Sequence, residues 1–113
     1  MTPLTALRNI RALLADPAHW TQGTNARDAD GFPVDPIDDS AATAWCLQGA
    51  MYRGSGGADT LSVRAALADQ LSAFYCLTNW NDTATRTHAE VLALIDRALA
   101  AQGAVVAQEG GAS

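Results

Sequence analysis

A mixed set of side chains able to do chemistry falls in two short runs, Trp80-Asn81-Asp82 and Arg86-Thr87-His88. A carboxylate, a guanidinium and an imidazole so close together could bind a polar ligand or move a proton, with tryptophan as an apolar wall. Trp20, in a second loop, could face the same hollow. The candidate ligand-binding set is therefore Trp20, Trp80, Asn81, Asp82, Arg86 and His88. The same residues also have an ordinary structural use. Trp80 could fill the core, while Asn81 and Asp82 hold the turn that launches the last helix. Both uses are open at this level.

Cys46 offers a different chemistry. A thiol nucleophile needs a base beside it, and His19 or His88, oriented by Asp82, could supply one. However, Cys46 follows Trp45 in an apolar run, where cysteine behaves as a small inert hydrophobe. Cys46 and Cys76 are expected to be reduced, buried thiols of an unexported chain. No serine elbow, phosphate-binding glycine loop or dinucleotide-binding glycine pattern is present, so catalytic residues remain unassigned.

Asp28, Asp30, Asp35, Asp38 and Asp39 crowd one stretch, and Asp28-Ala29-Asp30-Gly31 resembles part of a calcium loop. An EF-hand loop needs glycine at its sixth position and acidic anchors at its first and twelfth. With Gly31 sixth, those anchors are Ala26 and Ile37. A turn followed by a helix cap is the better reading. His19, Cys46, Cys76 and His88 are all isolated, without the paired spacing of a zinc site. No metal and no cofactor are expected.

The chain has 113 residues, 49% of them hydrophobic, which suffices for one packed domain. Twelve acidic residues outnumber seven basic ones, for a net charge of -5. All the basic residues are arginines, scattered along the chain, so nucleic-acid binding is not expected. The lack of lysine suits a GC-rich bacterial or phage genome. No apolar run is long enough for a membrane span, and the N-terminus lacks a signal-peptide layout. A cytoplasmic location is expected.

The elements that must position these groups are mostly helical. Thr2 as N-cap and Pro3 at the first helical position open a helix over 2–15, buried through Leu4, Leu7, Ile10, Leu13 and Leu14. Asp16-Pro17 ends it. Residues 18–37 read as an irregular insert, with an Asp28–Gly31 type I turn and hairpin arms near 24–28 and 31–35. Pro33 and Pro36 confine that hairpin to an edge. A second helix, capped by Asp38, Asp39 or Ser40, carries Ala42, Trp45, Cys46, Gly49 and Ala50. Gly49 there allows another backbone to come close. Arg53-Gly54-Ser55-Gly56-Gly57 breaks it. A third helix runs from Asp59 or Thr60 to Tyr75, buried through Val63, Ala66, Leu67, Leu71 and Phe74. Residues 76–86 read as a loop. Thr87-His88-Ala89-Glu90 fits a capping box that opens a last helix, buried through Val91, Leu94, Ile95, Ala98 and Leu99 and stopped by Gly103.

The expectation is a mainly α fold, a compact four-helix domain over 1–103 with a short hairpin-like or irregular insert between the first two helices. Residues 104–113 are expected to be a disordered tail.

Taken together, Trp20-x-x-Gly23, Ala44-Trp45-Cys46-Leu47-x-Gly49-Ala50, Trp80-Asn81-Asp82 and Arg86-Thr87-x-x-Glu90-Val91 resemble a family of small bacterial and phage proteins of unknown function. The resemblance spans about residues 5 to 101. It implies a single compact domain and marks these residues as a shared framework, without assigning them an activity.

The leading expectation is a non-enzymatic binding or accessory protein that engages a protein or small ligand through the Trp20 and Trp80 loop face. One alternative is a small enzyme using Cys46 or the Asp82, Arg86 and His88 group. Another is a helical homodimer whose alanine-rich faces complete the core.

Overall fold

A computed structural model describes residues 2–57, 60–71 and 76–111. Among them the fold is mainly helical: α1 (Pro3–Leu13), a 3-10 turn (Pro17–His19), β1 (Ala26–Arg27), β2 (Ala44–Trp45), α2 (Leu47–Gly54), α3 (Thr60–Ala68), α4 (Leu77–Asp82) and α5 (His88–Gly111). The two strands pair antiparallel, with Ala26 opposite Trp45 and Arg27 opposite Ala44.

The helix starts follow local capping chemistry. The Thr2 hydroxyl accepts from the Thr5 N–H at 3.1 Å, and Pro3 needs no partner for a missing donor. At α5 the capping box closes both ways. The Thr87 N–H donates to Glu90 Oε1 at 2.9 Å, and the Glu90 N–H donates to Thr87 Oγ1 at 3.2 Å. The N–H of Thr87 and its hydroxyl hold the Glu90 carboxyl below its ordinary value of 4.5, with Arg86 adding to the effect. A carboxyl lowered by folding stabilises the fold above its unfolded value, and that stabilisation is lost as the pH falls through the folded one. The denaturation midpoint of Glu90→Ala should therefore trail the parent at neutral pH and converge with it as the pH drops below 4.5. An undiminished gap in acid contradicts this cap.

One core joins the helices. Leu7, Ile10 and Leu14 of the first helical segment meet Leu47, Ala50 and Met51 of α2, Val63 and Leu67 of α3, and Val91, Leu94, Ile95 and Ala98 of α5. Helix α1 is the hub, packed on α2, α3 and α5. Gly54 permits the α1–α2 contact, since a Cβ there would stand 2.9 Å from Ile10 Cγ1 and 3.1 Å from the Ile10 nitrogen. Across the hub, Arg11 pairs with Asp96 of α5 at 2.9 Å.

The second helix begins later than its composition suggests. Residues 38–46 are not helical, and neither Asp38, Asp39 nor Ser40 caps α2. Asp35 accepts from the N–H groups of Ile37 and Asp38, and Asp39 from that of Ala41. These local turns compete with helical bonding. Beyond them the chain is drawn out beside β1, where the Thr43 N–H donates to the Arg27 carbonyl at 2.8 Å. The Asp28–Gly31 turn forms as expected, with the Gly31 N–H on the Asp28 carbonyl and Gly31 at φ +89°. Its second arm is reduced to a bridge between Arg27 and Pro33, and β1 takes β2 as its main partner.

Three further boundaries differ from expectation. Helix α3 ends at Ala68 in a turn through Leu71; the expected continuation to Tyr75, including Phe74, lies outside the described residues, as does Asp59. The stretch expected as a loop contains a fifth helix, α4. Helix α5 passes through Gly103 and runs to Gly111, whereas a stop at Gly103 was expected. Gly103 is absent from the positive-φ glycines, so it does not adopt the left-handed geometry that ends a helix.

Candidate functional site

Helix α4 is too short and too poor in helix-forming residues to stand alone. Leu77, Trp80 and Asn81 lie one turn apart and are all buried, so packing holds it together. At its C-terminal end the Thr83 hydroxyl donates back to the Asn79 carbonyl at 3.0 Å.

Asn81 is fully buried and is the centre of a polar network. Its Oδ1 accepts from the Trp20 indole N–H at 2.7 Å and from the Leu47 N–H at 3.1 Å. Its Nδ2 donates to the Thr21 carbonyl at 3.1 Å and to Asp82 Oδ1 at 2.9 Å. Both lone pairs and both protons of the amide are thus used. Leu47 is the first residue of α2, so Asn81 supplies a cap to a helix remote in sequence. Around this hub, Gln22 Nε2 donates to the Asn81 and Thr83 carbonyls, and the Gly23 N–H donates to Asp82 Oδ1 at 3.1 Å. The segment 20–23 is in this way fastened to α4.

The six candidate residues divide into two groups. Trp20, Asn81, Asp82 and His88 come together. The His88 ring stands 6.2 Å from that of Trp20, and its Nε2 donates to the Leu14 carbonyl at 2.6 Å, capping the end of α1. Trp80 and Arg86 form the second group. The Arg86 guanidinium lies 4.0 Å from the Trp80 ring centroid, and its Nε donates to the Trp80 carbonyl at 2.9 Å. Arg86 also pairs with Glu90 at 3.1 Å. With Gln70, Leu71, Ala93 and Arg97, these residues line a shallow hollow of about 390 Å³.

Cys46 is buried, as expected, but it caps α2 rather than sitting inside a helix. Its Sγ accepts from the Gly49 N–H at 3.3 Å and donates to Asn25 Oδ1 at 3.6 Å. Burial pushes the thiol above its ordinary 9.0, against the opposing pull of the Gly49 N–H. Neither hydrogen-bond partner is a base. Cys76 corrects the expectation of two buried thiols: it is exposed. The N–H groups of Asn79 and Thr78 hold it below 9.0. A maleimide should therefore label native protein quickly at Cys76 alone, reaching Cys46 only after denaturation. Equal labelling rates contradict the capping role.

A larger cleft, of about 630 Å³, opens on another face. Asn9, Ala12 and Leu13 of α1, His19 of the 3-10 turn, Ala42, Thr43, Trp45, Arg53 and Gly54 line it. Trp45 is only 6% exposed, and its indole Nε1 is buried without a hydrogen-bond partner among the described residues. Such an orphan donor costs about 1–3 kcal/mol. The Arg53 guanidinium stands 5.7 Å from the Trp45 ring centroid, steadied by Nη1 bonds that include one of 2.9 Å to the Ile37 carbonyl. The Trp20–Asn81 network reaches this cleft through the backbone: the Thr21 N–H donates to the Trp45 carbonyl at 3.0 Å, and Trp20 bridges Trp45 in parallel.

Sequence reasoning placed Trp45 inside a helix and gave Arg53 to a helix break, so neither was expected at a site. A tryptophan and an arginine close together in sequence would have been the available signal, had the strand at 44–45 been legible. Among the described residues, no group of three or more His, Cys, Asp or Glu side chains is placed to hold a metal. Among them too, no helix is long and apolar enough to cross a membrane.

No curated protein and no solved structure matches the chain. The model of one family, described as a family of unknown function (DUF6197), matches residues 1–101. The tryptophan-, glycine- and asparagine-centred framework described above lies within that span, and the chain belongs to this family.

Proposed function

We propose that this domain is a non-enzymatic binding module whose ligand is a small organic molecule held in the Trp45 cleft. The observation that carries the reading is that Trp45, whose buried indole N–H has no hydrogen-bond partner among the described residues, lines the larger of these two hollows. Nearly all buried donors are satisfied, so an orphan beside an open cleft is accounted for by an acceptor that arrives with a ligand. The volume suits a small molecule, and Ala12, Leu13, Ala42 and the Trp45 ring offer an apolar wall.

The Trp20 and Trp80 face, the expected binding surface, supports a different role. Trp20, Asn81 and Asp82 use their polar atoms on one another and on the backbone of 21–23 and Leu47. In this reading they are the latch that holds β2, and with it Trp45, in place. An enzyme acting through Cys46 has little support, since its thiol is buried and faces an amide and a backbone N–H.

Benzamide, a flat molecule with a carbonyl acceptor, serves as probe. Its addition should shift the Trp45 indole N–H resonance saturably, and Ala12→Trp, on an exposed residue of the cleft wall, should abolish the shift while leaving the melting temperature near the parent value. An indole resonance unmoved by both benzamide and benzoate overturns the reading.

A further inference from the structure

We infer that the ligand of the Trp45 cleft is an anion, a carboxylate joined to an apolar body, an inference that rests on the cleft being the binding site. The protein as a whole carries a net charge of -5, yet no Asp or Glu is among the described residues lining this cleft. What lines it instead are the side chains of Arg53, His19 and Trp45, beside the uncharged polar residues Asn9 and Thr43. Among the described residues, Arg53 has no carboxylate within ion-pair distance, whereas Arg11 and Arg86 each pair with one, Asp96 and Glu90. Among the described residues, Arg53 bonds through Nη1 alone, to the carbonyls of Pro36, Ile37 and Asp39, and the rest of its fork has no partner there. A guanidinium presents parallel donors that match a carboxylate, and it keeps its charge at every working pH.

The lining residues divide the ligand's requirements between them. Arg53 and the Trp45 N–H are donors, and His19 is a further donor when its ring N–H faces inward. Ala12, Leu13 and Ala42 offer no polar side chain, which suits an apolar body. A phosphate would be served by the guanidinium but would leave the apolar wall unused. A cationic ligand would meet no carboxylate among the described lining residues.

Benzoate, benzamide and benzylamine are matched in size and differ in charge. Followed by the Trp45 indole N–H resonance at low salt, benzoate should bind about tenfold more tightly than benzamide, with benzylamine weakest. Arg53→Gln should bring benzoate and benzamide within about twofold of each other. Because Arg53 also steadies residues 36–39, a second variant keeps the test decisive. His19→Glu, on an exposed residue, should weaken benzoate severalfold and leave benzamide unchanged. Equal affinity for benzoate and benzamide, or tightest binding of benzylamine, overturns the anion while leaving the cleft as a binding site. A Trp45 resonance indifferent to all three compounds overturns the cleft itself.

Discussion

Gly49→Ala should destabilise the domain by about 4 kcal/mol, a large fraction of the 5–15 kcal/mol typical of a domain this size. A Cβ at position 49 would lie 1.8 Å from the Asn25 carbonyl oxygen and 2.7 Å from its carbon. Both are backbone atoms, so no rotamer change relieves the overlap. Retreat of the backbone is also resisted, because the Asn25 carbonyl accepts from the Cys46 N–H at 3.2 Å. The first turn of α2 and the segment before β1 would have to part. Chemical denaturation of the purified variant reads the loss directly, and a midpoint within about 1 kcal/mol of the parent contradicts the close approach. A control is Gly31→Ala at the hairpin turn, where nothing lies within 4 Å of the added Cβ. That substitution should cost only the strain of a positive φ, about 1 kcal/mol.

Asn81→Leu should cost about 3 kcal/mol, for a different reason. Leucine fills much the same volume, so the loss is one of hydrogen bonds rather than packing. The Leu47 N–H, the Trp20 indole N–H and the Thr21 carbonyl would each lose a partner in a buried or half-buried place. An orphaned buried group costs more than a hydrogen bond contributes when made, so the three removals weigh heavily. The effect should also be local in a telling way. Amide exchange should accelerate at Leu47 and through residues 20–23, while α1 and α5, packed through apolar side chains, stay protected. A variant of parental stability, or uniform loss of protection, contradicts the latch.

How far these features could be read from the chain depends on how local their physics is. The Thr2 cap, the Thr87–Glu90 box and the Asp28–Gly31 turn are settled within a few residues, and all three form as expected. Gly49 was legible as a place of close approach, although the backbone that approaches it, at Asn25, was not. Helix α4 escaped notice because Thr78, Asn79, Asn81 and Asp82 are weak helix formers, and the pull of Leu77 and Trp80 into the core decides the matter. The late start of α2 has a similar cause. The apolar spacing of Ala42, Trp45 and Ala50 fits a helix, but Ala44 and Trp45 find partners in β1, a contact no local pattern announces. The candidate site was the least legible part. Trp20, Trp80 and Asn81 stood out by residue type, and type cannot tell a residue that holds a loop from one that holds a ligand. That distinction rests on which polar atoms are already occupied. Among the described residues Asn81 is saturated and the Trp45 indole is not.

The three tryptophans make this division directly measurable. Their indole N–H resonances, assigned by single Trp→Phe variants, report on the latch at Trp20, the stacked pair at Trp80 and the cleft at Trp45 in one spectrum. On titration with benzoate, the Trp45 signal should move saturably while those of Trp20 and Trp80 hold still, Trp20 being already bonded to Asn81. Movement at Trp20 or Trp80 with Trp45 unchanged would place binding outside the cleft and contradict its assignment.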